Sequence, residues 1–197
     1  MELTPDTQAE LTELAERFGA PLTIDATIDD RFDDPIRRKD RFGEVCMVIR
    51  RPNGKLLLSI KTFYPRGAYR LPTGGIEDGE RVYDALLREG HEETGLELMV
   101  ERFLARISYR GSSGAAPLFH TFAFLLRETG GTLGAIDTGE QIEDWREVET
   151  TELPAVADFL EHLASSGTRS IGGSWSAWGK FRAIAHRIIH EALMRPR

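Results

Sequence analysis

A single cysteine, Cys46, occurs in this 197-residue chain, so an internal disulfide and a cysteine-based zinc cluster are both excluded. No apolar run approaches the about 20 residues that a membrane-spanning helix needs. The N-terminus opens Met1-Glu2-Leu3, without the basic-then-apolar pattern of a secretory leader, and a cytoplasmic location is the expectation. Positive charge is the minority sign: 25 Lys and Arg against 32 Asp and Glu leave a net −7, which argues against general nucleic-acid binding. That deficit does not exclude a phosphorylated small molecule, because a bound cation inverts the local field. There is no internal repeat. What is present, 41% apolar and 29% charged residues, is ordinary for a globular chain and enough to bury a sizeable core. The length suits one domain, or one domain with extensions.

Residues 71–96, LPTGGIEDGERVYDALLREGHEETGL, organise the rest. They read as a glycine-rich turn, a short helix and a second turn at Gly95. Residues three and four apart on a helix share a face, so the carboxylates of Glu89, Glu92 and Glu93 are expected to converge. At about 100° per residue, the same side carries Val82, Ala85 and Leu86. The apolar half of that stripe must face the core, and it draws the carboxylates inward. Converging, dehydrated carboxylates repel one another unless they protonate or find a cation. Oxygen-only ligands suit a hard divalent ion, Mg²⁺ or Mn²⁺. A Glu- and Arg-rich helix is commonly a solvated face laced with i,i+4 pairs. Here the glutamates lie on the apolar stripe, which a solvated face does not explain.

The spacing Gly74, Glu80, Arg88-Glu89, Glu92-Glu93, Gly95-Leu96 resembles the Nudix box, GX5EX7REUXEEXGU with U a large apolar residue. Eight of its nine defined positions fit as they stand. The departure is Gly90, where the family has an aliphatic residue or Ala; Gly inside a helix costs about 1 kcal/mol against Ala, so it softens the helix or admits a close neighbour. Upstream, Gly67, Tyr69, Leu71 and Pro72 sit where the family often has G-x-W-x-L-P, and Thr73 replaces a glycine common there. The resemblance implies an α+β fold, an α/β/α sandwich around a mixed sheet. It covers roughly residues 43–163, giving a domain at 43–164 between an N-terminal helical extension (1–42) and a linker with a C-terminal amphipathic helix (165–197).

In chain order, Thr4-Pro5 reads as a helix start, with Leu11, Leu14, Ala15 and Phe18 as its packing stripe and Gly19 as its stop. The cluster Arg31, Arg37, Arg38, Lys39 and Arg41 alternates with Asp33, Asp34 and Asp40 and reads as solvated surface, although basic clusters can grip phosphates. Residues 43–49 and 55–62 are β-prone runs joined across Arg51-Pro52-Asn53-Gly54, a hairpin signal. Cys46 reads as a buried small hydrophobe. Lys61, Arg66 and Arg70, at or near the loop 63–70, are candidate contacts to substrate oxygens. Residues 97–109 and 117–127 read as strands about a Gly/Ser loop, with His120 as a satisfied sheet histidine. Residues 153–163 read as a closing helix, 165–176 as a connector, and the last helix as amphipathic, with Lys180, Arg182, Arg187 and His190 on its polar side.

What the resemblance implies chemically is hydrolysis of a nucleoside diphosphate linked to another group. Water attacks a phosphorus of the diphosphate, releasing a nucleoside monophosphate and the phosphorylated group. Metal ions, Mg²⁺ or Mn²⁺, would neutralise developing charge. Residue for residue, Glu89, Glu92 and Glu93 match the metal ligands, and Arg88 and Glu80 match a pair that braces the helix. Gly74 and Gly75 let backbone approach metal or phosphate. Glu140 and Glu143 are candidates for a further ligand or the general base, with surface acids flanking a strand as the plainer reading of each. Tyr64, Tyr69 and Trp145 can stack on a base, with packing as the plainer reading of each. Pro117 lies too far past the box, and Tyr109 too near it, for two known substrate signatures. A small nucleotide or other diphosphate is the expected partner, and a homodimer is common in the family. Two rivals are a catalytically weak nucleotide sensor and an isopentenyl diphosphate isomerase-like enzyme, which would need Cys46 as an acid.

Overall fold

The computed structural model describes residues 2–28, 41–112, 114, 116–164 and 174–196. Arg31, Arg37, Arg38 and Lys39 lie outside the described residues, as does most of the 165–176 connector. The described elements are the strands β1 (Leu22–Thr27), β2 (Gly43–Arg50), β3 (Leu56–Lys61), β4 (Thr73–Gly75), β5 (Leu96–Arg110), β6 (Phe119–Gly131) and β7 (Ile142–Val148), with the helices α1 (Pro5–Phe18), α2 (Val82–Thr94), α3 (Leu153–Glu161) and α4 (Trp175–Met194). Thr4 caps α1, its hydroxyl accepting the Thr7 amide at 3.1 Å. The sheet runs β1-β5-β6-β2-β3-β7, with β4 on β2. β1–β5 and β2–β6 pair in parallel and the rest antiparallel, so the sheet is mixed.

Period-2 alternation sorts the central strand into two cores. Val45, Met47 and Ile49 of β2 join a cluster with Leu11 and Leu14 of α1 and Val82, Ala85 and Leu86 of α2. Cys46 and Val48 point the other way, into a cluster with Leu153 of α3 and Phe181, Ala185 and Ile189 of α4. Each such fully buried aliphatic or aromatic side chain contributes about 1.5–3 kcal/mol. The result is an α/β/α sandwich. No helix among the described residues is long and apolar enough to cross a membrane.

Two features differ from the sequence reading. β1 lies within the stretch read as a helical extension; its strict alternation of half-buried and exposed positions is a sheet-edge pattern. α4 is no appendage. It packs on the same core as the sheet, and Gly179 lets it cross α3 closely, since a Cβ there would fall 2.0 Å from the Leu160 carbonyl oxygen.

The predicted hairpin forms, with the Arg51 amide donating to the Lys55 carbonyl at 2.8 Å and Gly54 at φ +87°. Its two strands then part, paired only at Arg50–Leu56. Residues 70–75 enter the fork. Arg70 exchanges both backbone hydrogen bonds with Ser59 of β3, at 2.8 and 3.0 Å, and the Pro72 carbonyl accepts from the Met47 amide of β2 at 2.9 Å. β4 continues this path against β2, pairing Gly74 with Val45. The glycine turn is thereby held between two strands as part of the sheet.

Candidate active site

α2 is aimed by both of its ends. Its N-terminal amides are capped from another helix: Glu10 of α1 accepts from the Val82 and Tyr83 amides at 3.0 Å each, a carboxylate at the positive end of the helix dipole. Gly95 ends the helix in the left-handed conformation, its amide donating to the His91 carbonyl at 2.8 Å. Gly90 resolves as a close approach, because a Cβ there would meet a Leu98 methyl at 3.0 Å and the Met47 sulfur at 3.7 Å.

Along the stripe, Glu89 and Glu93 are buried, at 5% and 1% exposure. They meet Glu140, from the loop before β7, with one oxygen of each carboxylate lying within 4.8 Å of the others. Glu92 is not in this group. Counted at about 100° per residue, Glu89 and Glu93 fall about 20° either side of the Val82 direction, whereas Glu92 falls about 80° away. Its side chain is 41% exposed, and it accepts from Arg88 Nη1 at 3.1 Å. Arg88 gathers the rest: a bidentate pair to Glu80 at 2.8 and 2.9 Å, Glu89 at 3.0 Å and the Gly75 carbonyl at 3.0 Å. This hydrogen-bonded fork holds Glu80 below the usual carboxylate range.

Gly74 packs directly on Glu89; a Cβ would fall 2.1 Å from the Glu89 carboxyl carbon. Only glycine fits there. Burial raises the Glu89 carboxyl and pushes Glu93 up to about 8. Burial also opposes charge on Glu140, but the Lys61 ammonium at 2.5 Å outweighs it and lowers that carboxyl. Lys61 lies 3.4 Å from Glu93 as well. Glu93 Oε2 nonetheless has no hydrogen-bond partner among the described residues. A buried carboxylate oxygen left unpaired, beside two further carboxylates, is the donor set a hard divalent ion fits.

The cluster forms part of the wall of a cavity of about 290 Å³, which Gly74, Gly75, Lys61, Arg70 and Arg41 also line. Arg70 is buried, donating to the Tyr64 hydroxyl and the Leu71 carbonyl. Arg41 was expected on the surface, yet its guanidinium lies against Gly75, where a Cβ would overlap it. Its proximity works to lower the Glu80 and Glu89 carboxyls.

Three expected site residues lie elsewhere. Glu143 and Arg66 are exposed and do not line the cavity. Glu143 is on β7, beyond the left-handed Gln141 that turns the chain away from Glu140. Tyr69 is tied to β7 through its hydroxyl on Asp144 at 2.5 Å. Trp145 packs into the α1/α2 core. His120 is buried with Nδ1 3.1 Å from the Ser108 hydroxyl, as expected of a sheet histidine. Cys46 is 1% exposed, pushed up to about 12 by burial, and does not line the cavity; it offers no acid for an isomerase.

One residue that sequence reasoning misplaced is Arg182. Read as the polar side of its helix, it is 4% exposed and lines the cavity. The signal was available: at about 100° per residue it falls about 40° from Trp178 and about 20° from Ile189, between Ile189 and Trp175 on the buried side of the helix.

The family model of the NUDIX domain matches residues 40–166. The chain belongs to the Nudix family. Among curated relatives, it is 28% identical over 157 residues to Nudix hydrolase 2 of Arabidopsis thaliana, covering 77% of this chain and 56% of that one. It is 36% identical over 98 residues to the ADP-ribose pyrophosphatase of Methanocaldococcus jannaschii, covering 49% and 56%. A 68-residue stretch is 43% identical to the human (Homo sapiens) 8-oxo-dGDP phosphatase, covering 34% of this chain and 19% of that one. The chain thus spans about half or less of the length of these relatives. Among solved structures, an ADP-ribose pyrophosphatase from Streptococcus suis matches at TM-score 0.45 and 15% identity, over 79% of this Nudix chain and 93% of that one.

Proposed function

We propose that this Nudix chain hydrolyses a diphosphate linkage in a nucleoside diphosphate derivative, with Mg²⁺ or Mn²⁺ as cofactor. The observation that carries this reading is Glu93: its Oε2 is buried and unpartnered while Glu89 and Glu140 converge on the same point. These three residues would hold the ion, with the more exposed Glu92 and the Gly74 backbone as further donors. Bound there, the ion would neutralise charge on diphosphate oxygens and make water a better nucleophile. Lys61, Arg70 and Arg41 add positive charge for phosphate oxygens on the neighbouring wall. Arg88 and Glu80 fix the orientation of Glu89 and Glu92. Glu140, held ionised by Lys61, either completes the ligand set or takes the proton from the attacking water. Two of the relatives are named for ADP-ribose and 8-oxo-dGDP, both nucleoside diphosphate derivatives, which supports that substrate class.

A second reading, a weakly active nucleotide sensor, is favoured by one contact: the Lys61 ammonium already sits between Glu93 and Glu140. The two readings separate in one assay. Phosphate release is followed for nucleoside triphosphates, ADP-ribose, nucleotide sugars and dinucleoside polyphosphates with Mg²⁺, Mn²⁺ or EDTA. Turnover that requires metal and disappears in Glu93→Gln establishes the hydrolase. Nucleotide binding without turnover on any substrate establishes the sensor in its place.

A further inference from the structure

The cavity lining carries a further charged pair that is not part of the carboxylate cluster. Arg182 Nη1 of α4 donates to Glu44 Oε1 of β2 at 2.6 Å, and the Thr121 hydroxyl donates to the same oxygen at 2.9 Å. Both side chains are nearly enclosed, at 5% and 7% exposure, yet both line the cavity. The two bonds fall on Oε1, and Oε2 takes part in neither. Leu118 and Phe119 also line the cavity, and Phe119 meets Phe181 edge-on at 6.0 Å. The Arg182 guanidinium lies 4.8 Å over the Phe181 ring, so it is oriented from below as well as by Glu44.

An apolar pair of equal volume would join α4 to the sheet at least as well as this ion pair, because desolvating two charges offsets most of their attraction. A buried acceptor and donor on a cavity wall next to an aromatic face have a different use. The ionised carboxylate only accepts and the guanidinium only donates. Anionic phosphates are drawn to Lys61, Arg70 and Arg41 and repelled by Glu44. What this pair fits is a flat, uncharged ring with N–H groups beside a carbonyl. Among the nucleobases, guanine presents two adjacent N–H donors followed by a carbonyl acceptor on one edge. Adenine and cytosine each present a single donor group beside a bare ring nitrogen, and uracil one donor between two carbonyls, so guanine alone offers two adjacent donors beside a carbonyl.

We propose that Glu44 and Arg182 are the specificity-determining pair of this site and select a guanine nucleotide, the base lying against Phe119. This rests on the reading of the cavity as a nucleotide site. It assigns a role in recognition to α4, which lies outside residues 40–166 matched by the family model.

The test is equilibrium binding of GDP, ADP, CDP and UDP to the full chain with Mg²⁺, and to Glu44→Gln and Arg182→Lys. Inorganic pyrophosphate serves as the base-free control. The expected result is a preference of about tenfold or more for GDP in the unsubstituted protein, the size of one well-formed charged hydrogen bond. Glu44→Gln should bring GDP to within about threefold of the others and leave pyrophosphate unchanged. Equal binding of all four nucleotides, or of none, overturns the inference. So does a preference that survives in both variants, or a uniform weakening that includes pyrophosphate, the mark of a purely structural pair. Should either variant not fold, Thr121→Val, which removes only the hydroxyl holding Glu44, is measured the same way. Phosphate release is scored in parallel. Hydrolysis without base preference overturns this inference alone, whereas base preference without hydrolysis of any diphosphate overturns the hydrolase alone.

Discussion

His186 of α4 accepts the amide proton of Leu71 through Nε2 at 3.1 Å, while its Nδ1 lies 2.7 Å from the Arg182 carbonyl. The two bonds define one tautomer, with Nδ1 carrying the hydrogen and Nε2 bare. Leu71 opens the path to Pro72, Thr73 and Gly74, so this ring fastens the last helix to the glycine turn that abuts Glu89. A second proton on the ring would turn Nε2 into a donor facing a donor. Burial, the largest effect, lowers the imidazole to about 4.

Acid stability follows from that ring. Above about pH 6.5 neither folded nor unfolded His186 is charged, and the group contributes no pH dependence. Between about 6.5 and 4 the unfolded chain takes up a proton that the folded chain refuses, so stability falls as pH falls. The loss is on the order of 3 kcal/mol across that window. His186→Gln, which keeps one donor and one acceptor, should flatten the slope. Urea unfolding at a series of pH values measures it, and an unchanged slope in the variant refutes the assignment.

Gly74→Ala should displace Glu89, because the new methyl would occupy the Glu89 carboxyl position. Mn²⁺ affinity and turnover are expected to drop by about a hundredfold, the scale of losing one electrostatic contributor to a transition state. Gly79→Ala is the control: its Cβ meets nothing, and only its φ of +77° is strained. That control should lose about 1 kcal/mol of stability and no metal affinity.

Gly90→Ala should stabilise by about 0.5 kcal/mol. Ala gains about 1 kcal/mol of helix propensity over Gly, and part of it is spent moving the half-buried Leu98 methyl, 3.0 Å from the added carbon. Gly90→Ile should instead destabilise by about 1–3 kcal/mol, as overpacking does. Thermal melts of the two variants, read for opposite signs, decide the point.

Arg88→Ala removes the guanidinium that joins Glu80, Glu89, Glu92 and the Gly75 carbonyl. The site is about a third open to solvent, so screening reduces the effect; a loss of about 1–3 kcal/mol is expected. Arg88→Lys should recover little of it, since one ammonium cannot replace a fork holding several carboxylates. Chemical denaturation of both variants in low and moderate salt tests this.

Glu10→Ala should cost about 1 kcal/mol by uncapping α2, and Glu10→Gln about half as much, since the amide oxygen still accepts. Equal stability of all three proteins in urea would show that the cap is idle.

Glutamates within an apolar stripe break a simple rule, which is why the acid half of the candidate site shows in the sequence. Helical period places Glu89 and Glu93 inward, but the same count puts Glu92, expected to converge with them, about 80° off the Val82 direction and outside the cluster. Glu140 could not be separated from Glu143 because a loop sets their difference, through a left-handed Gln141 that nothing in the composition announces. Arg182 breaks the same rule as Glu89 and was nonetheless read as polar surface, since a cation in a stripe of Trp and Ala looks like ordinary amphipathic drift. β1 went unread because six residues of half-buried alternation, ending an edge, resemble a loop until the parallel partner β5 is known. Glu10 carries no local signal at all. Its role exists only once α1 has docked, as the cap of a helix some 70 residues away.

Glu44 and Arg182 stand 138 residues apart in the chain. The contacts of α4 are coupled: its docking on the sheet brings the Arg182 guanidinium to Glu44, seats His186 on the Leu71 amide and covers Cys46 and Val48. The helix that closes one side of the pocket is thus also the one that neutralises the pocket's buried acid, so loosening it would open the cavity and strand that charge together.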